Sequence, residues 1–87
     1  MTRGRKDWFD VWCADWEGLI DTQARNVQSE IDAGWKYKSN RVQNELRILN
    51  EFNGEYRRQL GRFASMSDGE VNRFCYYDLL RRGAISR

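Results

Sequence analysis

Trp8, Trp12 and Trp16 stand four residues apart. On a helix this spacing sets three indoles on one face, with a drift of about 40° per step. Phe9, Cys13, Leu19, Ile20, Val27 and Ile31 fall in the same sector, about 140° wide on a helical projection. Asp7, Asp10, Glu17 and Asp21 lie opposite. The pattern predicts a long amphipathic helix that starts near Arg5–Asp7, with acids in its first turns as the helix dipole prefers. The apolar stripe carries it to about residue 33, where Gly34 can serve as a C-terminal cap.

The chain contains no proline, and no segment alternates at the period of two that strands require. A second helix is expected over 39–63, with Ser39 or Asn40 as N-cap. Along it Val42, Leu46, Leu49, Asn53, Tyr56, Leu60 and Phe63 follow alternating steps of four and three. That is a heptad seam with Leu46, Asn53 and Leu60 at a positions. Leu46, Leu49, Asn53, Tyr56 and Leu60 are therefore the expected seam, either within one bundle or between two copies. Asn53 admits two readings: a polar a position that sets register or oligomer state, or an edge residue beside a core Phe52.

Ala64-Ser65-Met66 reads as a connection. Ser67 and Glu70 form a capping box at the head of a third helix, which is expected over 68–82 and to stop at Gly83. Val71, Cys75 and Leu79 make one stripe, Tyr76 and Leu80 a second, and Tyr77 lies on another side. Such a helix has to be covered on more than one side. The expected fold is all-α: an antiparallel hairpin of two long helices closed by a short C-terminal helix, a small three-helix bundle. Residues 1–87 are read as a single helical domain, with 1–6 as a basic, flexible arm. A chain of this size buries only about 60% of its unfolded surface, so dimerisation is one way to complete the core.

The residue inventory excludes much chemistry. There is no histidine and there are only two cysteines. His-based acid–base work, Ser-His and Cys-His nucleophile pairs and nearly all zinc and di-iron helical sites are thereby removed. No Walker loop or G-x-G-x-x-G occurs. Glu30 and Asp32 are two residues apart and do not share a helix face. The chain is read as a non-enzyme with no cofactor and no metal. Cys13 and Cys75 are expected as free thiols in a reducing compartment, with a single bridge between them as the alternative. No signal peptide and no apolar run of about 18 residues is present, so the expectation is a soluble cytoplasmic protein that does not meet a membrane.

Binding is what remains. The net charge of +2 conceals +3 over residues 1–6, −6 over 7–32 and +5 over 33–87. The bases of the last segment are mostly arginine, which suits bidentate pairing with carboxylate or phosphate. Three indoles and Phe9 near one end of a small bundle exceed what the seam of the second helix alone can cover. Trp8, Phe9, Trp12, Trp35, Arg73, Tyr76, Tyr77, Arg81 and Arg82 are thus the candidate partner-binding residues. The first functional expectation is a module that binds another protein stoichiometrically, as an inhibitor or accessory factor of the kind phages and mobile elements encode. A second is a small nucleic-acid-binding protein that uses Arg3, Arg5 and Lys6 with the C-terminal arginines. A third is a structural helical homodimer. Gly54 and Gly61, seven apart, suggest either tolerated surface glycines or a groove for a closely approaching helix.

Overall fold

The structure, a computed structural model, describes residues 7–87. The proposed arm with Arg3, Arg5 and Lys6, and a helix start as early as Arg5, fall outside the described residues. Three helices follow in order: α1 Trp8–Asp32, α2 Asn40–Phe63 and α3 Asp68–Arg81. The protein is an all-α three-helix bundle, with α1 packed against both α2 and α3.

Five of the six helix termini have a local cause in the sequence. Ser39 accepts from the Val42 amide, and Ser67 and Glu70 close a full capping box. Asp7 caps α1 by accepting from the Phe9 amide (3.1 Å). At the far ends of α1 and α3 the chain turns through Gly34 (φ 103°) and Gly83 (φ 76°), a region nearly closed to other residues. In both places two amides bond back to the last turn: Gly34 to Ile31 and Trp35 to Glu30, Gly83 to Leu80 and Ala84 to Leu79. These are Schellman motifs, and they stop the helices where the glycines stand.

The molecule measures 51 × 26 × 23 Å. A helix of fourteen residues spans about 21 Å, so α3 covers only the first half of α1. The core lies there: Trp12, Trp16, Phe63, Val71, Cys75 and Leu79 are buried, with Phe9, Phe52, Tyr56, Leu60 and Phe74 packed on them. Trp12 is enclosed by Tyr56 and Phe63 of α2 and by Trp16, at ring-centroid distances of 5.1–6.1 Å. The continuous stripe expected to run to Ile31 is interrupted. Leu19 and Ile31 are exposed, because beyond α3 only α2 covers α1. Gln23 takes a buried place instead and donates from Nε2 to the Glu45 carbonyl (2.9 Å) and carboxylate (2.7 Å), a polar tie between α1 and α2.

The seam along α2 belongs to the hairpin itself where contacts define it: Phe52, Tyr56 and Leu60 pack on the core. Phe52 holds the core position, with its edge toward Trp16. Asn53 donates to the Leu49 carbonyl of its own helix (3.2 Å) and forms no bond across helices. Leu46 and Leu49 are half-buried on the half of the hairpin that α3 does not reach. Gly54 and Gly61 are exposed, and a methyl added at either meets open space. They line no groove. Gly54→Ala and Gly61→Ala are each expected to stabilise the protein by about 0.5–1 kcal/mol. Urea denaturation checks this, with an unchanged m value showing that the fold is kept.

Candidate functional site

The junction of α1 and α3 concentrates the side chains that the fold does not use as plain core. Asp78 is buried at its centre. Its carboxylate accepts from the Trp12 indole Nε1 (2.8 Å), from Arg81 and from Arg82 (3.4 Å). Arg82 also pairs with Asp15 of α1 and lays its guanidinium over the Trp16 ring, 4.6 Å from the centroid. Burial alone would raise the Asp78 pKa; the indole N–H and the two arginines outweigh it and hold the carboxyl below its usual range. A charged carboxylate thus ties both helices together. The Trp16 Nε1 has no hydrogen-bond partner among the described residues.

Asn72 supplies a second tie. Its Oδ1 accepts from the backbone amides of Trp8 (2.6 Å) and Phe9 (3.3 Å). These amides open α1 and have no carbonyl within their own helix to reach. A side chain of α3 therefore completes the cap of α1. Next to it an aromatic ladder runs outward: Trp8 to Tyr76 at 4.9 Å, then Tyr76 to Tyr77 at 5.3 Å. Trp8, Asn72, Arg73 and Tyr76 line a shallow groove with Asp7 and Asp68. Tyr77 is 54% exposed.

The expected binding residues are divided by this arrangement. Trp12 is fully enclosed and meets no second chain in this fold. The aromatic excess anticipated around it is absorbed by α3, which lays Cys75, Asp78 and Leu79 over the indoles. Phe9 is half-buried against Phe63. Arg82 is committed to Asp78, Asp15 and Trp16 and is withdrawn from the surface set as well. Arg81 pairs with Asp78 through an otherwise exposed side chain. Arg73, Tyr77 and Arg81 stand at i, i+4 and i+8, one exposed stripe along α3. Trp35 lies far away, in the hairpin turn. Arg62 of α2 lies over the Phe74 ring of α3, 5.5 Å from the centroid.

Asp78, Asn72 and Gln23 carry no signal in a sequence reading. Each is one polar residue in an amphipathic helix, and only the neighbouring helix makes it special.

Both cysteines are free. Burial pushes the Cys75 thiol up to about 12, and the Cys13 thiol is also raised, chiefly by burial. Both stay protonated at neutral pH and are weak nucleophiles. Among the described residues no group of histidine, cysteine, aspartate or glutamate side chains is placed to hold a metal ion. No helix among them is long and apolar enough to cross a membrane. No protein-family model, curated protein or solved structure matches the chain.

Proposed function

We propose that this chain is a non-enzymatic protein-binding module that acts by occupying a partner's surface one to one, in the manner of an inhibitor or accessory factor. The observation that carries the reading is the Arg73–Tyr77–Arg81 stripe on α3, with Tyr77 joined through Tyr76 to Trp8. Tyrosine, tryptophan and arginine dominate the energetics of protein interfaces. The stripe stands on a helix that the Asp78 and Asn72 ties fix to α1, so little ordering cost attends binding. An arginine on either side of a tyrosine selects a partner surface that offers an apolar slot flanked by carboxylates.

The test is capture of partners by the tagged protein, followed by titration of the recovered protein with purified variants. Tyr77→Ala is expected to weaken binding by about tenfold or more, and Arg73→Glu to weaken it as well, mainly through the on-rate. Thermal unfolding of Tyr77→Ala should match the parent, since the side chain is largely exposed. Equal binding by parent and variants would exclude the α3 face. Recovery of nucleic acid in place of a protein would favour the second expectation.

A further inference from the structure

The opposite end of the molecule carries a different surface. The turn between α1 and α2 holds Trp35-Lys36-Tyr37-Lys38, about 25 Å along α1 from Asp15, which pairs with Arg82 at the end of α3. Trp35 is 44% and Tyr37 63% exposed; among the described residues the other exposed large apolar side chains are Tyr77, Leu19 and Ile31. Exposed rings in a turn are ordinarily mobile, but here the backbone is tied at each step. The Trp35 amide donates to the Glu30 carbonyl (3.1 Å). The Ser39 amide and hydroxyl both donate to the Lys36 carbonyl (2.9 and 2.7 Å), and Gln43 Nε2 donates to the Tyr37 carbonyl (2.7 Å). Arg41 lies over one face of Trp35, 4.7 Å from the centroid, and is itself held by Glu30 (3.3 Å). The indole is therefore fixed in orientation.

The charges of this end are unequal in availability. Glu30 is engaged by Arg41, and Asp32 accepts from Gln28. Lys36 and Lys38 form no ion pair among the described residues and alternate with the two rings. Two exposed π faces, that of Trp35 held by Arg41, interleaved with two free ammonium groups match a ligand that alternates flat rings with anions. We propose that the hairpin turn is a binding site for single-stranded nucleic acid, with bases stacking on Trp35 and Tyr37 and phosphates meeting Lys36 and Lys38. Arg41 strengthens the Trp35 platform from behind. A duplex does not fit, because its bases are already stacked and present no free faces. An anionic lipid surface fits less well, since inserting either ring draws a lysine down beside it. The site is independent of the α3 face and differs from a basic N-terminal arm or C-terminal arginine cluster.

The experiment is fluorescence anisotropy of a labelled deoxythymidine dodecamer and of its uridine counterpart, titrated with the whole chain from low to physiological salt. Trp35→Ala is expected to weaken binding by about tenfold or more, while Trp35→Phe retains most of it. K36Q/K38Q should weaken binding and lower the slope of log affinity against log salt by about 1.4, the value for two phosphate contacts on a single strand. A duplex of the same length should bind more weakly. Thermal unfolding by circular dichroism confirms that each variant is folded. Several results overturn the proposal: no oligonucleotide binding at low salt, equal affinity for duplex and single strand, binding lost only when Arg3, Arg5 and Lys6 are replaced, or sedimentation with phosphatidylserine vesicles in its place. Failure here leaves the α3 reading intact, because Tyr77→Ala does not touch the turn.

Discussion

Replacing Trp12 by alanine is expected to remove about 4 kcal/mol of stability, within the 3–5 kcal/mol typical of truncating a buried tryptophan. The indole is fully enclosed and contacts Tyr56 and Phe63 from α2 while donating to Asp78 from α3. The substitution opens a cavity and leaves a buried carboxylate short of a donor. A single domain has only about 5–15 kcal/mol in total, so the loss is a large fraction of its stability. Trp12→Phe keeps much of the ring packing but not the N–H, and should fall between the two. Trp35→Ala is the internal comparison, with a change within about 0.5 kcal/mol because the ring is exposed. Urea denaturation followed by far-ultraviolet circular dichroism measures all three. A Trp12→Ala protein within 1 kcal/mol of the parent would mean, on this scale of core truncations, that the core is not where α1 and α3 meet.

The second large effect centres on Asp78. Asp78→Ala removes the acceptor for the Trp12 indole, Arg81 and Arg82 together. The expected loss is about 3 kcal/mol, at the low end for breaking a buried pair because Arg82 retains Asp15. Asp78→Asn keeps the shape and an acceptor for Trp12, and should lose less. The pH dependence separates charge from shape. The folded pKa lies below the unfolded carboxylate value of about 3.9. The charge therefore contributes its full stability above that value and loses it as pH falls through the folded pKa. Parent stability should decline on acidification below about pH 4, and the Asp78→Asn curve should be flatter over that window. Parallel curves for the two proteins would show that Asp78 does not hold the junction through its charge.

Both effects bear on function through rigidity. The Arg73–Tyr77–Arg81 stripe is only as well placed as α3 is on α1. Asp78 and Asn72 set that placement from the two ends of α3, one through a carboxylate and one through a cap. Loosening the Asn72 tie should reduce partner affinity without altering any residue of the stripe, whereas loosening Asp78 also releases its ion-pair partner Arg81.

Much of the architecture is legible in local chemistry. The Ser67–Glu70 capping box, the Ser39 cap and the two glycine stops at Gly34 and Gly83 place the termini of the helices closely. They are legible because caps satisfy backbone groups within a few residues, and a local need leaves a local signature. The heptad spacing likewise marks the face of α2 that carries Tyr56 and Leu60 into the core. The candidate site is less legible. Trp12 and Arg82 have the residue types of interface anchors, but the fold consumes both. Type and spacing report which face of α1 is apolar; they do not report how far a neighbouring helix extends over it.

Local sequence is enough to specify an all-α chain, three helices with their caps, and an inventory without histidine. Only the tertiary structure decided that α3 lies across the first half of α1. That packing seals Trp12 against Asp78, spends Arg82 inside, and leaves Leu19 and Ile31 uncovered. It also leaves Tyr77 at one end and Trp35 with Tyr37 at the other as the accessible aromatic surfaces. The physical reason is range. Helix formation and capping are settled over about four residues, whereas burial of Asp78 beside Trp12 joins positions 66 residues apart. Such a contact has no signature in either segment until both are folded together.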